Sequence, residues 1–377
     1  MKRILFVFPH LRQGGAQIVA TTIANALIKK GGYEIGFFSI DEYFFCQTPP
    51  SPLINHYYLP KTNLYFGKSF YKLCVGLVHH LKTQRYDYIV SGCEGTSEIS
   101  LFLLRFFHKR LCLKMLFVSM IHTPISKVYQ VSSISHKIGW QLLKWARQLT
   151  FDCVTVVSKS LFDDPFLSGI KNKMVIRNPI DHDMLQKLAR EPLSEEQTKH
   201  INEPFFLCVG RISREKNPMM LLEGFNLVKN NCRHNLILLG TINDTLLFDE
   251  MQKYIAKNLE GRVFYMGVVT NPYVYMQKAD ALVSTSHYES FLLVAFEAMA
   301  LGCVVISTKF DGYERLFTNE HALLVSRHNA NELASALKRV ITKDPSLSQM
   351  RINANEMTQS YTLPLIVEQY HSLFSGE

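Results

Sequence analysis

The stretch SHYESFLLVAFEAMALG, residues 286–302, sets two acids, Glu289 and Glu297, at the ends of an otherwise apolar run. The residues before it, Ala281 to Thr285, read as a short buried strand, and Cys303 to Thr308, rich in β-branched side chains, read as another. With Ser290 as N-cap and Gly302 as the stop, the pattern predicts a helix from about Phe291 to Leu301. Strand, helix, strand is the repeating unit of a parallel α/β sheet. Glu289 then falls on the loop at the carboxyl end of a strand, and Glu297 lies roughly 10 Å along the helix at about 1.5 Å per residue. Its side chain tilts back toward the helix start. That edge of a parallel sheet is where ligands bind, and a helix start there offers N–H groups and a positive dipole to an anion. A diphosphate at the helix mouth would leave a ribose near Glu297. A glutamate in mid-helix is also commonly a solvated residue or a lysine's partner, and this stretch alone leaves both readings open.

Outward from that unit the alternation continues. Strand-like runs fall near Phe205 to Val209, Asn235 to Leu239, Val263 to Met266, Leu282 to Thr285 and Val304 to Thr308. Before a polar stretch from Asn178 to Glu203, the same rhythm gives strands near Ile4 to Pro9, Tyr33 to Ile40, Tyr86 to Ser91, Met115 to His122 and Cys153 to Val157. Helical segments separate them at Gln17 to Lys30, Ser69 to Gln84, Ser97 to His108 and Ser135 to Leu149. The expected fold class is α/β, with two doubly wound Rossmann-like domains, 1–178 and 179–377. A last helix near 366–374 follows Pro364, and the sequence does not say on which domain it packs.

A chain of 377 residues with 47% hydrophobic content can bury two sizeable cores, and 19% charged residues suits a folded protein. No apolar run reaches the length of a membrane span, and the N-terminus enters its first strand at once. The 8 cysteines show no CxxC spacing and lie mostly in apolar segments, which points to reduced thiols and a cytoplasmic chain. Charge is unevenly divided. Residues 1–178 carry 22 Lys+Arg against 9 Asp+Glu, whereas residues 179–377 carry 19 against 23. No acid occurs between Glu98 and Asp152, while Arg105, Lys109, Arg110, Lys114, Lys127, Lys137, Lys144 and Arg147 do. An anionic membrane surface or a nucleic acid would each suit such a bias. The segment Ser100 to Arg110, large apolar residues mixed with basic ones, is either a core helix or a docking element for an anionic membrane.

Two further places invite chemistry. Arg12, Gln13, Gly14, Gly15 and Ala16 lie between the first strand and the first helix, where a glycine pair admits a close phosphate or simply makes a tight turn. In the second half, VGRISREKNP, residues 209–218, occupies the same topological position. There Arg211 and Lys216 could neutralise a diphosphate leaving group without a metal, or form surface salt bridges. Asp181 and Asp183 have the spacing of a DxD metal motif but read more simply as carboxylates at a helix start. His122 is either a catalytic or a buried, hydrogen-bonded histidine.

VGRISREKNP, then YMGVVTNPYVYMQKADALVSTSHYESFLLVAFEAMALGCVVIST at 265–308 and ALLV at 322–325, resemble the C-terminal half of family 4 glycosyltransferases, the retaining enzymes of GT-B fold. RQGGAQ at 12–17, IHTP at 121–124, VVSKS at 156–160 and VIRNPID at 175–181 follow that family's order. The resemblance implies two domains facing a cleft, the first binding an acceptor and the second a nucleotide sugar, UDP- or GDP-linked. It implies an E-x7-E element in which Glu289 lies by the donor sugar, Glu297 holds the ribose hydroxyls, and the backbone of Ser290, Phe291, Leu292 and Leu293 meets the diphosphate. Arg211 and Lys216 match the diphosphate-binding pair, Gly15 the glycine loop, and His122 the histidine near the sugar. Ser290 and Leu292 stand where the family usually has glycine.

The expected activity is a retaining, metal-independent hexosyltransferase with no cofactor, acting on a membrane-associated glycan or glycolipid acceptor of lipopolysaccharide type in bacterial surface polysaccharide synthesis. The expected location is cytoplasmic, peripheral on the inner face of the plasma membrane. A sugar-nucleotide epimerase on the same fold and a non-catalytic protein bound to an anionic surface are the alternatives. Finger, helix-turn-helix and RNP-like signatures are absent, so nucleic acid is not an expected partner.

Overall fold

The computed structural model describes residues 1–11, 14–40, 49–59, 69–131, 134–193, 198 and 200–376. The chain forms two compact units, one of Met1–Pro179 with Leu363–Glu377 and one of Ile180–Thr362. In the first, β1 (Lys2–Val7), β2 (Tyr33–Ser39), β3 (Asn55–Tyr58), β4 (Tyr88–Ser91), β5 (Leu116–Ile121), β6 (Cys153–Val156) and β7 (Lys173–Val175) form a sheet in the order β3-β2-β1-β4-β5-β6-β7. Every paired strand is parallel. Ile4, Leu5, Phe6 and Val7 are all buried, as a central strand covered on both faces requires. Sequence order reverses between β1 and β4, so this sheet has its switch point there.

The edge strands β3 and β7 are additions to the sequence reading. Asn-His-Tyr-Tyr at 55–58 and Lys-Met-Val at 173–175 are half-buried or exposed edge segments, and an edge strand carries no long apolar run to announce it.

The helix Leu363–Ser375 belongs to the first unit. Lys30 Nζ reaches Glu368 at 2.7 Å, Tyr33 Oη and His371 Nδ1 lie 2.6 Å apart, and the rings of Tyr88 and Phe374 are 5.0 Å apart. The second unit therefore ends at Thr362 rather than 377, because the last helix buries Ile366, Val367, Tyr370 and Phe374. Pro364 sits inside its first turn, where a missing N–H is tolerated.

In the second unit β8 (Phe205–Val209), β9 (Asn235–Leu239), β10 (Val263–Tyr265), β11 (Ala281–Ser284), β12 (Val304–Thr308) and β13 (Leu323–Val325) form a parallel sheet ordered β10-β9-β8-β11-β12-β13. Its switch point lies between β8 and β11, which pair through Ala281 with Phe206 and Leu282 with Leu207. The polar stretch beginning at Asn178 is more than a linker. Ile180 bridges to Thr362, and helix His182–Ala189 is tied to the unit by Asn271 Nδ2, which donates to the Leu188 carbonyl at 2.8 Å. Gly240, at the end of β9, has φ +143°, and a Cβ there would lie 1.9 Å from the Gly210 carbonyl oxygen. Only glycine lets these two strand ends approach so closely.

Candidate active site

The two loops at the switch point of the second unit carry Lys216 and Glu289, and hydrogen bonds lock them together. After β8 the chain turns through a short 3-10 segment, Arg214–Lys216, and leaves it at Asn217 in the left-handed region (φ 48°), a conformation asparagine tolerates well. Thr285, just past β11, donates its hydroxyl hydrogen toward the carbonyls of Lys216 and Asn217 at 3.0 and 2.9 Å. His287 N donates to the Glu215 carbonyl at 2.8 Å. Thr308, at the end of β12, donates to the Ser286 carbonyl at 2.5 Å. Three strand ends thus fix the positions of Lys216 and Glu289.

Lys216 Nζ lies 2.5 Å from Glu289 Oε1, and Ser286 Oγ donates to the same oxygen at 2.6 Å. Both charged side chains are largely buried. An ion pair held this way keeps a cation fixed at the carboxyl edge without a ligand and offers an anion a lysine whose present partner can be exchanged. Arg211 is placed differently. Its side chain is 57% exposed and meets Glu215 Oε1 at 3.1 Å, one turn along the loop. Of these candidates the structure brings Lys216 and Glu289 together, whereas Arg211 stands in a surface pair beside them. A narrow pocket at this point is lined by Gly210, Arg211, Lys216, Ser284, Ser286 and Val294. A roomier depression of about 510 Å³, lined by Glu332, Arg339 and Asn353 among others, lies beside β13 and contains none of these residues.

The helix after Glu289 starts later than its sequence suggests. It spans Leu293–Ala300, with Leu292 at the N-cap position, so that Ser290 and Phe291 precede it. Leu292 is the cause: φ 52° and ψ 53° put it in the left-handed region, where a non-glycine residue costs roughly 1–2 kcal/mol. The Leu292 side chain is buried, which helps to hold that conformation. Phe291 points inward and stacks on Phe296 at 4.5 Å, with Tyr361 at 5.5 Å. Its side chain and that of Leu292 belong to the core, so only their backbone is available to a ligand at the helix start; Leu293 opens the helix, half-buried. The turn at Gly302 (φ 76°) ends the segment as expected.

Glu297 occupies a separate neighbourhood. Tyr273 Oη donates to its Oε1 at 3.2 Å, and burial pushes the carboxyl up to about 7. A carboxyl titrating near neutrality, with a tyrosine holding one oxygen, can accept from a hydroxyl with the other. Asp181 caps the helix His182–Ala189 by accepting from Met184 N at 3.0 Å, and Asp183 lies in that helix's first turn. Among the described residues no group of three or more His, Cys, Asp or Glu is arranged to hold a metal ion.

In the first unit, Gly15 is the first residue of helix Gly15–Lys30, with open space where a Cβ would sit; Arg12 and Gln13 lie outside the described residues. His122 follows β5, and burial pushes its imidazole down to about 4, so it is neutral near neutral pH. Glu94, after β4, holds the turn: its Oε1 accepts from the backbone N–H of His122 and, at 2.7 Å, of Thr123. Gly15, Glu94 and His122 follow three adjacent strands at the same carboxyl edge. Sequence reasoning missed Glu94, Ser286, Glu215 and Tyr273. Glu94 had a signal, a glycine-flanked acid at a strand end, but the others act through side-chain contacts that no spacing reveals.

Residues 189–357 match the family model described as "Glycosyl transferases group 1", a span inside the second unit. The N-acetylgalactosamine-N,N'-diacetylbacillosaminyl-diphospho-undecaprenol 4-alpha-N-acetylgalactosaminyltransferase of Campylobacter jejuni is 31% identical over 173 residues, 45% of this chain and 44% of that enzyme. The chain thus spans less than half of that relative's length. A second protein of the same organism, the GalNAc-alpha-(1->4)-GalNAc-alpha-(1->3)-diNAcBac-PP-undecaprenol alpha-1,4-N-acetyl-D-galactosaminyltransferase, is 24% identical over 100% of this chain and 99% of its own. Among solved structures, sucrose-phosphate synthase from Thermosynechococcus elongatus superposes with a TM-score of 0.81 at 21% identity, covering 100% of both chains. The fold is GT-B, built from two Rossmann-like domains.

Proposed function

We propose that this protein is a retaining glycosyltransferase that moves a hexose from a nucleoside diphosphate sugar, UDP- or GDP-linked, to a hydroxyl of a glycan or glycolipid acceptor in the synthesis of a surface polysaccharide. The observation that carries this reading is the Lys216–Glu289 pair at 2.5 Å, seated at the β8/β11 switch point within the span that matches the group 1 glycosyltransferase model. The names of the two Campylobacter relatives, both transferases with undecaprenol-linked acceptors, support an acceptor carried on a lipid.

In this reading the donor diphosphate displaces Glu289 from Lys216, and the ammonium neutralises charge as the bond from C1 of the sugar to the phosphate oxygen breaks. Backbone N–H groups at the start of helix Leu293–Ala300 add to that stabilisation. Glu289, released from the lysine, orients the sugar hydroxyls. Glu297, steadied by Tyr273, accepts from the ribose. The acceptor oxygen attacks C1 on the face the diphosphate leaves, and its proton passes to the departing phosphate oxygen, so configuration is retained.

A panel of nucleoside diphosphate sugars tests the proposal through thermal shift, because a ligand bound by the native state alone raises its stability. At least one donor should raise Tm and release free nucleoside diphosphate in the presence of an acceptor extract, and turnover should continue in EDTA. No shift with any donor overturns the reading. Activity lost in EDTA and restored by magnesium overturns its metal-independent form.

A further inference from the structure

The acid-free stretch of the first unit builds one continuous surface. Helix Ile134–Thr150 buries Leu143, Ala146, Arg147 and Thr150, and Arg147 is fully enclosed, paired with Glu98 at 2.6 Å. Its other side exposes Ile138, Leu142, Trp145 and Leu149, the last two by 58% and 53%, at spacings of four, three and four that make a single stripe. Phe102 links this stripe to helix Thr96–Phe107, on which it lies: its ring is 6.2 Å from Trp145 and 5.9 Å from Phe106, which in turn meets Phe107 at 5.0 Å. Phe107 is 68% exposed and Leu113 69%. A groove of about 630 Å³ lined by Phe102, Phe106, Lys109, Leu113, Lys114 and Leu149 lies within the patch.

Basic residues surround it. Lys109, Arg110 and Lys114 are exposed beside Phe106 and Leu113, and Lys137 and Lys144 lie on the flank of the stripe. The acids that bracket the stretch in sequence are already engaged, Glu98 by Arg147 and Asp152 by Arg105 at 2.8 Å. No helix among the described residues is long and apolar enough to cross a membrane.

We propose that this face, the stripe of helix Ile134–Thr150 together with Phe106 to Leu116, docks on an anionic lipid bilayer, its apolar side chains entering the interface and its lysines and arginines meeting the headgroups. A helix with one exposed apolar stripe and basic flanks lies in the plane of an interface, and 17 residues span about 25 Å of it. A second copy of the chain fits less well, because a two-fold contact would bring like charges around Lys109, Arg110 and Lys114 together. Nucleic acid would leave Ile138, Leu142 and Leu149 without a partner. The sequence pointed to Ser100 to Arg110 as the docking element; there Leu101 and Leu104 are core, and the exposed apolar area comes mainly from the later helix. Docking places the protein on a membrane that can carry a lipid-linked acceptor, but its surface chemistry does not depend on the transfer reaction.

Both tryptophans of the chain, Trp140 and Trp145, lie on this helix, so intrinsic fluorescence reports on it directly. The full-length protein should co-sediment with vesicles of phosphatidylcholine and phosphatidylglycerol, with a blue-shifted emission, and far less with phosphatidylcholine alone; added salt should release it. Leu142→Ser with Leu149→Ser, and separately Lys109→Glu with Arg110→Glu, should each lower the vesicle partition coefficient about tenfold or more. Unchanged thermal melts and nucleoside diphosphate binding in the variants show that the fold and the other unit are intact. Absence of binding to anionic vesicles, or equal binding by the variants, overturns the proposal. A concentration-dependent dimer abolished by Leu142→Ser with Leu149→Ser would assign the face to a second copy instead. Transfer to a water-soluble acceptor is read separately, so the docking and transfer proposals fail independently.

Discussion

The carboxyl edges of the two sheets share a topology and use their acids in opposite ways. In the first unit Glu94 binds the backbone N–H groups of His122 and Thr123, partners that cannot leave without unmaking the turn. In the second, Glu289 is held by the ammonium of Lys216 and the hydroxyl of Ser286, both on side chains that can turn to a ligand. A carboxylate tied to backbone shapes a site, and one tied to a lysine keeps a cation in waiting. Topology therefore makes the two edges alike, but the partners of their acids set them apart.

The sharpest test of that contrast is Lys216→Ala, which should lower kcat/KM for transfer by on the order of 2–4 kcal/mol in transition-state stabilisation. Full activity would remove the second edge from the mechanism. Glu289→Gln comes next. It should lower kcat with little change in donor affinity, whereas Glu297→Gln should mainly weaken nucleotide binding, since a ribose contact is made equally in ground and transition states. Steady-state parameters that change alike in the two variants would erase this division of labour. Tyr273→Phe should reproduce a weaker form of the Glu297 effect, about 1 kcal/mol in nucleotide affinity by calorimetry, because it removes one hydrogen bond to that carboxyl.

Titration separates the edges again. Glu297 is raised from 4.5 to about 7 in the folded protein, so the folded state holds a proton that the unfolded chain has released, and this group's effect on stability becomes unfavourable as pH rises from about 4.5 to about 7. His122 is lowered from 6.5 to about 4, so its effect becomes unfavourable as pH falls from about 6.5 to about 4. Melting curves should show Glu297→Gln gaining on the native protein as pH rises through its window, and His122→Gln gaining as pH falls through the other. The smallest effect is expected of Arg211→Ala. As an exposed ion pair with Glu215 it should change stability by no more than about 1 kcal/mol, and its kinetic cost should fall below that of Lys216→Ala. A larger kinetic loss at Arg211 would mean that the loop rearranges around the donor.

The sequence was most legible where one physical signal acts alone. Buried strands such as Ile4 to Val7 and Val304 to Thr308 are apolar because both faces of a parallel sheet are covered, and periodicity finds them. Lys216 and Glu289 stood out as candidates because strand ends in such sheets carry ligand chemistry, and Glu297, inside the following helix, through the E-x7-E spacing of the resemblance. The start of the helix after Glu289 was not. Ser290 has the chemistry of a cap, yet Leu292 takes the left-handed turn, a choice set by Phe291 packing on Phe296 and Tyr361. Edge strands β3 and β7 were missed because half-covered segments carry a diluted pattern.

By itself the sequence determined the doubly wound architecture, the location of the candidate residues at strand ends and the concentration of positive charge in the first half, because periodicity, turn chemistry and charge are local or additive properties. Only the tertiary structure decided that Lys216 pairs with Glu289 while Arg211 pairs with Glu215, that Glu94 props the His122 turn, and that the last helix returns to the first unit. It also decided which apolar residues of the basic stretch are core and which face outward. Each of these depends on which distant segments meet across a sheet edge or a packed face, and that is fixed by the sum of the packing rather than by any spacing along the chain.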